Sequence, residues 1–235
     1  MKIILSPSKE MAFEKNIDKK IKLNEISQEI LDEIQKMSKN DLQKKFKVSD
    51  KLADEVYGYY QDFDKSDAYY AIDMYSGMAF REMDFGTEND FARDNVIILS
   101  AFYGPLRTDD LVKPYRLDFN TGIKVKGMSL KKLWADCYNN YFDKGERILN
   151  LASDEFSSLL KREDFDFIDF DFYEFRDGKI KRHSTISKKL RGKMANFIVK
   201  NKITSLDDLK DFNDYGFVYD KENSNEKLYV FRRDL

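Results

Sequence analysis

The apolar positions of this chain fall into two patterns: short continuous runs, and longer stretches with helical spacing. A short apolar run bounded by polar or turn-forming residues is typical of a buried strand, whereas a recurrence of about three to four positions is typical of one face of a helix. The predicted strands are 3–5, 96–99 and 148–151, and the predicted helices are 23–37, 130–142 and 187–201.

Two segments in the second half of the chain predict β-hairpins. Residues 165–175 alternate in part between aromatic and acidic side chains, and the turn signal 177–178 (Asp-Gly) follows, so residues 179–185 are expected to return as the partner strand. We expect the first of these strands at the edge of a sheet, where its acids would discourage pairing with another chain. The second predicted hairpin joins 215–219 to 227–231.

Two short helices joined by a tight turn are predicted over residues 38–61. Ser38 is an N-cap candidate with Asp41 three residues later, as in a capping box, and Ser49 is a second N-cap candidate. The chain has no repeat, low-complexity tract or Pro/Gly/Ser-rich linker. We therefore expect one α+β domain over residues 1–235, in which a mixed sheet is flanked by helices.

Composition narrows the classes of function. Apolar residues make up 42% of the chain, enough for a sizeable core, and the signs of the charged residues nearly cancel to a net charge of -2. A globally basic nucleic-acid binder is thus excluded, and any polyanion site would be a local patch. The single cysteine suits a reducing compartment, the N-terminal apolar run is too short for a signal peptide, and no run approaches the ~18 apolar residues of a membrane span. We expect a soluble cytoplasmic protein.

Polar side chains cluster where predicted strands end. The segment 150–155 (Asn-Leu-Ala-Ser-Asp-Glu) closes the apolar run 148–151, and arginine-bearing segments lie at 100–107 and 114–117. A strand end holds side chains rigidly while the next loop stays accessible, so open α/β sheets place their sites there. The residues expected to share one cleft are Lys9, Arg107, Arg116, Glu155, Lys189 and Arg191.

The segment 179–193 contains seven Lys and Arg residues and no acid. Lys188 and Lys189 lie near a predicted helix N-terminus, where the helix dipole disfavours cations but backbone N–H groups help to hold a phosphate. We therefore predict that these lysines and Arg191 bind phosphate. The alternative is a solvated basic face with no ligand.

Arg107 and Arg116 each follow a tyrosine and a Gly or Pro element. The planar guanidinium suits phosphate or carboxylate, and Tyr103 and Tyr115 are predicted to offer stacking faces for bases. The alternative is structural, because buried arginines pair with carboxylates such as those of residues 154–155. Both roles are compatible, since a carboxylate can orient an arginine that also contacts a ligand.

Glu155 is a candidate catalytic acid or base, a candidate metal ligand or an ion-pair partner, and the sequence leaves these alternatives open. A transition-metal site usually draws on His or Cys. The chain has one of each, His183 and Cys137, on different predicted elements, so neither a tightly bound metal nor another cofactor is expected. Cys137 and Trp134 lie on the apolar face of a predicted helix and are expected in the core.

Seven short motifs, in order along almost the whole chain, resemble those of the YaaA peroxide-stress protein family. No single motif of this length is specific, but seven in the right order are. They are Leu5-Ser6-Pro7-Ser8-Lys9, Tyr75-Ser76-Gly77, Leu99-Ser100-x-x-Tyr103-Gly104-x-Leu106-Arg107, Pro114-Tyr115-Arg116-Leu117, Leu133-Trp134, Asn150-Leu151-Ala152-Ser153-Asp154-Glu155 and Lys189-x-Arg191-Gly192-x-Met194.

The resemblance implies a cytoplasmic DNA-binding protein that limits oxidative DNA damage during peroxide stress and is linked to lower intracellular free iron. It also implies a mixed α/β fold with a positively charged cleft and a helix-hairpin-helix-like element, which by position is 38–61. The turn at 47–48 (Lys-Val) departs from the usual pattern, because it lacks the glycines that let backbone N–H groups approach a phosphate. DNA, duplex or distorted, is the expected partner, and protein partners are left open.

An enzyme acting on nucleotides or nucleobases, similar to a glycosylase, is the alternative class. Glu155 would be its acid or base, Arg107 and Arg116 would hold phosphate, and Tyr103 would stack on the base. No Gly-rich phosphate loop, zinc deaminase motif or nucleophile elbow supports this alternative. With one cysteine, a sulfenic acid has no resolving partner within the chain, so we expect an effector that does not itself sense peroxide.

Overall fold

The architecture is a mixed sheet with helices packed against it, and the computed structural model describes residues 1–235. The helices are α1 (Glu25–Gln35), α2 (Lys39–Phe46), α3 (Asp50–Gln61), α4 (Ala71–Met74), α5 (Asp90–Asn95), α6 (Leu130–Tyr141), α7 (Asp154–Ser157) and α8 (Ser184–Lys200). The strands are β1 (Lys2–Leu5), β2 (Tyr69–Tyr70), β3 (Val96–Ser100), β4 (Gly104–Arg107), β5 (Leu111–Val112), β6 (Lys124–Val125), β7 (Met128–Ser129), β8 (Arg147–Asn150), β9 (Asp166–Arg176), β10 (Lys179–Lys181), β11 (Val218–Tyr219) and β12 (Leu228–Asp234).

The main sheet has eight strands in the order β11-β12-β9-β8-β1-β3-β4, with β10 paired to β9. β1 runs parallel to both of its neighbours, so that Ile3 lies opposite Val96 of β3 and Leu149 of β8. β9 is parallel to β8 and β12, whereas β4, β10 and β11 are antiparallel to their partners. The mixed sheet expected from the sequence is confirmed.

The chain changes direction across the sheet at β1. From β1 it proceeds to β3 on one side, and it later returns to β8 on the other side before continuing to β9 and β12. The loops that follow β1 and β8 therefore lead away from each other. In open α/β sheets this is the point at which a crevice opens outside the carboxyl ends of the strands.

The apolar runs form the centre of a core of 58 buried residues. Ile3, Ile4 and Leu5 of β1 are each at most 1% exposed. Parallel strands covered on both faces need continuous apolar sequence, which is why these strands show no alternation. No helix of the structure combines the length and the apolar character that crossing a membrane requires.

The predicted edge position of residues 165–175 is wrong, because β9 lies between β8 and β12. Its acids do not protect an edge but pair with basic side chains. Asp166 binds Arg147 at 2.7 Å, and Asp171 binds Arg182 at 2.6 Å. Ion pairs of this kind offset the cost of removing carboxylates from water on an inner strand. The alternation of aromatic and acidic residues in the sequence does not show whether such partners are present.

The hairpin after β9 forms at the predicted turn, although its return strand is shorter than predicted. Asp177 and Gly178 both have positive φ angles, 52° and 72°, as the type I′ turn requires. β10 ends at Lys181, and α8 begins at Ser184, three residues before the predicted start at Ser187. Residues 184–185 are therefore helical, because the helix extends back over its polar first turn.

The predicted helix pair at 38–61 is present as α2 and α3. The Ser38 hydroxyl oxygen accepts a hydrogen bond from the Asp41 N–H at 3.2 Å, and that of Ser49 accepts one from Leu52 at 3.4 Å. Lys47 ends α2 in the left-handed conformation, with φ 52°. The turn thus reverses the chain without a glycine.

Trp134 is buried in the core as predicted, whereas the core position predicted for Cys137 is wrong because Cys137 is exposed. The buried face of α6 is the narrow stripe of Leu130, Trp134 and Tyr138, four residues apart, and Cys137 lies beside it. Protein atoms around the sulfur still raise the pKa of the thiol, so the thiolate that oxidation requires is disfavoured.

Replacing Cys137 with serine is expected to change the free energy of unfolding by less than about 0.5 kcal/mol, because the residue is exposed. Thermal unfolding of the variant and of the unaltered protein measures this effect. A decrease in stability well beyond this value would show that the thiol is packed into the core after all.

Candidate functional site

A cleft of about 380 Å³ opens outside the carboxyl ends of β1 and β8, at the point where the chain changes direction across the sheet. We call it the strand-end cleft. Its walls come from four parts of the chain: 5–10 after β1, 77–80, 151–156 after β8, and Lys188 and Arg191 of α8.

Two serines join the strand ends that form the floor of the strand-end cleft. The Ser6 hydroxyl oxygen accepts the backbone N–H of Ser153 at 2.8 Å and lies 3.1 Å from the Ser153 hydroxyl. Both residues belong to motifs that carry the family resemblance, yet the sequence offered no sign that they meet. Two loops separated by 147 residues are thereby held in one position.

Two glycines let the walls approach closely. A Cβ atom at Gly77 would lie 2.3 Å from the Ser8 hydroxyl, and one at Gly192 would lie 2.0 Å from the carbonyl oxygen of Ala79. Such contacts are far inside van der Waals distance. The glycine at 192 therefore lets α8 lie against the segment 77–82, and the glycine at 77 lets that segment lie against Ser8. Sequence reasoning missed these positions as parts of the site, although both glycines occur within the quoted motifs.

One side of the strand-end cleft is acidic. Glu155 lies at the start of α7 and accepts a hydrogen bond from the Phe119 N–H at 2.9 Å. Burial raises the pKa of the Glu155 carboxyl, and the neighbouring Asp118 carboxylate raises it further. Asp118 itself pairs with Lys9 at 2.7 Å. Lys9 thus has a partner before any ligand binds.

The opposite side is basic. Lys188 and Arg191 lie one helical turn apart on α8, and neither forms an ion pair. The Arg191 Nε–H is buried and has no hydrogen-bond acceptor. Burial lowers the pKa of this guanidinium, while Asp154, Asp169 and Asp171 oppose the change, and an arginine remains charged at neutral pH. A buried donor without an acceptor suits an anionic group in the cleft.

The structure does not place Arg107 with the other residues predicted to share a cleft. β4 is antiparallel to β3, and Arg107 lies opposite Ile97, at the start of β3 and therefore at the other end of the sheet. Its guanidinium binds Asp109 at 3.1 and 3.2 Å. The prediction failed because the sequence could not distinguish the beginning of a strand from its end in this short segment.

Arg116 and Lys189 also lie outside the lining of the strand-end cleft. Arg116 is partly buried beside Tyr60, whose hydroxyl contacts the Arg116 backbone, and it forms no ion pair. Lys189 follows Lys188 on α8 but is not one of the residues that line the cleft. Of the six predicted members, Lys9, Glu155 and Arg191 line the cleft, and Lys188 joins them.

Tyr103 and Tyr115 are buried, so neither ring presents an open face, and the stacking role expected of them does not fit this geometry. The Tyr103 hydroxyl donates to the Lys113 carbonyl at 3.0 Å and accepts the Lys113 N–H at 2.7 Å. The Tyr115 hydroxyl lies 2.7 Å from that of Tyr75 and 2.8 Å from that of Ser100. These hydrogen bonds hold the loop after β5 against the core.

The alternative ion pairs expected for the arginines are also absent, since neither Asp154 nor Glu155 pairs with Arg107 or Arg116. No group of three or more His, Cys, Asp and Glu side chains is arranged to hold a metal ion. His183 lies 3.4 Å from Glu174, away from Cys137.

Comparison with known proteins agrees with the motifs around this cleft. The profile of a family described as "Peroxide stress protein YaaA" matches residues 1–223, which include every residue of the strand-end cleft. The chain belongs to the YaaA family. Family membership identifies a peroxide stress protein, consistent with a role in oxidative stress.

Curated relatives of this YaaA-family chain carry the name UPF0246 protein. One from Crocosphaera subtropica is 40% identical over 86% of this chain and 86% of its own length. One from Fusobacterium nucleatum is 37% identical over 99% of both chains, and one from Streptococcus agalactiae is 33% identical over 98% of both. The similarity therefore extends over the strands, loops and helix that form the cleft.

Proposed function

We propose that this protein binds DNA through the strand-end cleft and thereby limits oxidative DNA damage in the cytoplasm during peroxide stress. One observation carries the proposal: Lys188 and Arg191 line the cleft without an ion pair, and the buried Nε–H of Arg191 has no acceptor. Cations of this kind bind phosphate strongly because it supplies both charge and hydrogen-bond acceptors.

The charge around the cleft supports a polyanion as the ligand. Salt bridges neutralise Arg182 and Lys193, which bind Asp171 and Glu82. The other cations of the basic segment have no carboxylate partner, so their field extends into solvent next to the cleft. They are Lys179, Lys181, Lys188, Lys189 and Arg191.

The size of the cleft favours contact with a single nucleotide or phosphate over entry of a whole duplex. At about 380 Å³ it has the volume of a small-molecule pocket. A loop connects it to the helix pair α2–α3: Tyr60 donates to the carbonyl of residue 116 at 2.6 Å, and Glu155 accepts the N–H of residue 119 at 2.9 Å. DNA held at the cleft would pass along this loop, where the unpaired Arg116 is available to it.

The proposal is tested by fluorescence anisotropy with duplex, bulged and single-stranded oligonucleotides between about 50 and 200 mM salt. Binding should weaken as salt rises, because each neutralised phosphate releases counterions. Absence of binding to every oligonucleotide at the low-salt end would contradict DNA binding. We attribute any lowering of free iron to an indirect effect, in keeping with the lack of a His, Cys, Asp and Glu cluster suited to a metal.

An enzyme acting on nucleobases remains a second candidate, because Glu155 lies in the cleft with a raised pKa. In this proposal Lys188 and Arg191 replace Arg107 and Arg116 as the phosphate-binding residues. Incubation with oligonucleotides that contain damaged bases tests it, with Glu155→Gln as the control. Product release by the unaltered protein and not by the variant would support catalysis, whereas binding without turnover would exclude it for those substrates.

DNA binding should also depend on pH through Glu155. Because burial and Asp118 raise the pKa of its carboxyl, Glu155 gains a proton at a higher pH than an ordinary glutamate does, and this removes a negative charge that repels phosphate. We therefore expect DNA affinity to rise as the pH is lowered through the range in which this carboxyl becomes protonated.

In Glu155→Gln this increase should shrink, since the amide oxygen still accepts the Phe119 N–H but carries no charge. Every other titratable group is the same in both proteins, so the difference between their pH profiles isolates Glu155. Equal pH profiles for both proteins would show that Glu155 does not face the bound phosphate.

A further inference from the structure

The hairpin formed by β9 and β10 extends past the end of β8, towards the strand-end cleft. β8 pairs with β9 only as far as Asp169, whereas β10 pairs with residues 174–176. β12 occupies the other edge of β9, so β10 lies on the β8 side, at the carboxyl end where the cleft opens. The chain then enters α8, which supplies Lys188 and Arg191 to the cleft wall.

The end of this hairpin carries an exposed apolar pair. Phe175 and Ile180 lie directly opposite each other and therefore share one face of the hairpin. They are 38% and 49% exposed, so together they present a contiguous apolar surface to the solvent. Arg232 lies over the Phe175 ring at 5.6 Å, which leaves the Ile180 side of the pair uncovered.

The opposite face of the hairpin is mainly basic. Arg176 lies opposite Lys179, and Lys181 lies opposite Glu174, whose carboxylate pairs with Arg233 and His183 and not with the lysine. Neither lysine forms an ion pair, and Arg176 contacts only the exposed Asp177 of the turn, at 3.8 Å. An apolar tip flanked by unneutralised cations complements a nucleic acid, whose phosphates lie on the outside and whose base faces are apolar.

We propose that the β9–β10 hairpin is a wedge that inserts Phe175 and Ile180 between stacked base pairs of duplex DNA. Lys179 and Lys181 contact the flanking phosphates, and the base freed from stacking lies next to the strand-end cleft. When apolar side chains insert into a base step, unstacking the bases costs free energy. The additional contacts that the protein makes with the bent or opened DNA offset this cost. The inference rests on the proposed function, because it requires that the protein bind DNA.

The test uses the full-length protein and a duplex with 2-aminopurine at one position, whose fluorescence rises when the base is unstacked. The unaltered protein should raise this fluorescence about threefold or more at saturation, as expected when a step is opened. Ile180→Ser and Phe175→Ala should abolish most of the increase and weaken duplex binding about tenfold. Their affinity for single-stranded DNA should stay within about twofold, since a single strand requires no opening.

Two further variants isolate the cause. Val218→Ser is the matched control, because Val218 is also a strand residue and is 48% exposed, close to the 49% of Ile180, but lies on β11, which is separated from β9 by β12 on the side away from β10. It should leave both readouts unchanged. Ile180→Lys adds a cation where the wedge was, so it should retain duplex affinity through charge while losing the fluorescence increase.

The outcomes separate the wedge from the proposed function. Duplex binding with no 2-aminopurine response in the unaltered protein would overturn the wedge and leave DNA binding intact. Failure to bind any DNA would overturn both. Binding to phosphatidylglycerol vesicles that Ile180→Ser abolishes, with DNA opening unaffected, would assign the hairpin to a membrane surface. Self-association in sedimentation velocity that the same variant abolishes would assign it to a second copy of the chain.

Discussion

Replacing Lys188 and Arg191 together with alanine should weaken DNA binding by about two orders of magnitude, the largest effect expected of any two substitutions. Each hydrogen bond to a charged group contributes roughly 1.5–3 kcal/mol, and every 1.4 kcal/mol is about a factor of ten in affinity. Neither side chain has another partner to lose, so the effect reports on the ligand alone. The slope of log affinity against log salt should also fall by about two, because two phosphate contacts are removed.

The control for this double variant keeps the net charge equal. Lys200→Ala with Lys221→Ala removes two positive charges at exposed positions, one at the opposite end of α8 and one between β11 and β12. It should change affinity by less than about threefold at physiological salt, where charges beyond about 8 Å are screened. Arg191→Lys tests geometry, since a single ammonium cannot reproduce the fork of the guanidinium. If the control variant loses as much affinity as the cleft variant, binding is non-specific and the cleft is not its site.

Gly192→Ala should destabilise the protein by about 3 kcal/mol, at the upper end of what overpacking usually costs. The added Cβ would lie 2.0 Å from the carbonyl oxygen of Ala79, and a backbone carbonyl cannot rotate away as a flexible side chain can. α8 would have to shift from the segment 77–82, which carries part of the cleft wall. Thermal denaturation should show a decrease of roughly 10 °C for a chain of this size, and DNA affinity should fall with it.

Gly58→Ala is the matched substitution in another helix. Gly58 lies in α3, and a Cβ there meets nothing within 4 Å. Alanine is favoured over glycine in a helix by about 0.8–1 kcal/mol, so this variant should be slightly more stable than the unaltered protein. Opposite signs for the two Gly→Ala changes are the expected result. A Gly192→Ala protein that unfolds at the unaltered temperature would show that α8 does not require this close contact.

The elements that the sequence predicted correctly depend on local physical chemistry. Apolar runs become central strands because both faces of a parallel sheet are covered, as at β1, β3 and β8. Caps such as Ser38 and Ser49 begin helices because their hydroxyls accept orphan N–H groups of the first turn. The turn 177–178 reverses the chain because its residues tolerate positive φ.

The predictions that were wrong depended on which other segments of the chain pack against a residue. Residues 165–175 have the alternation of an edge strand, but β12 pairs with β9 from the far end of the chain and makes it an inner strand. Cys137 has the helical spacing of a core residue, but the buried face of α6 is limited to the narrow stripe of Leu130, Trp134 and Tyr138 and does not include it. Arg107 follows a tyrosine and a Gly-Pro element, which predicted a place in the site, but β4 positions it at the opposite end of the sheet.

The sequence by itself determined the family, the class of fold, most of the helices and strands, and the concentration of cations at 179–193. It did so because secondary structure and charge follow from patterns a few residues apart. Only the tertiary structure decided that Ser6, Ser153, Glu155 and Arg191 meet in one cleft, since contacts across as many as 147 residues depend on strand order and register. The same holds for Gly77 and Gly192, whose missing side chains matter only because another segment lies within 3 Å of where a Cβ would be.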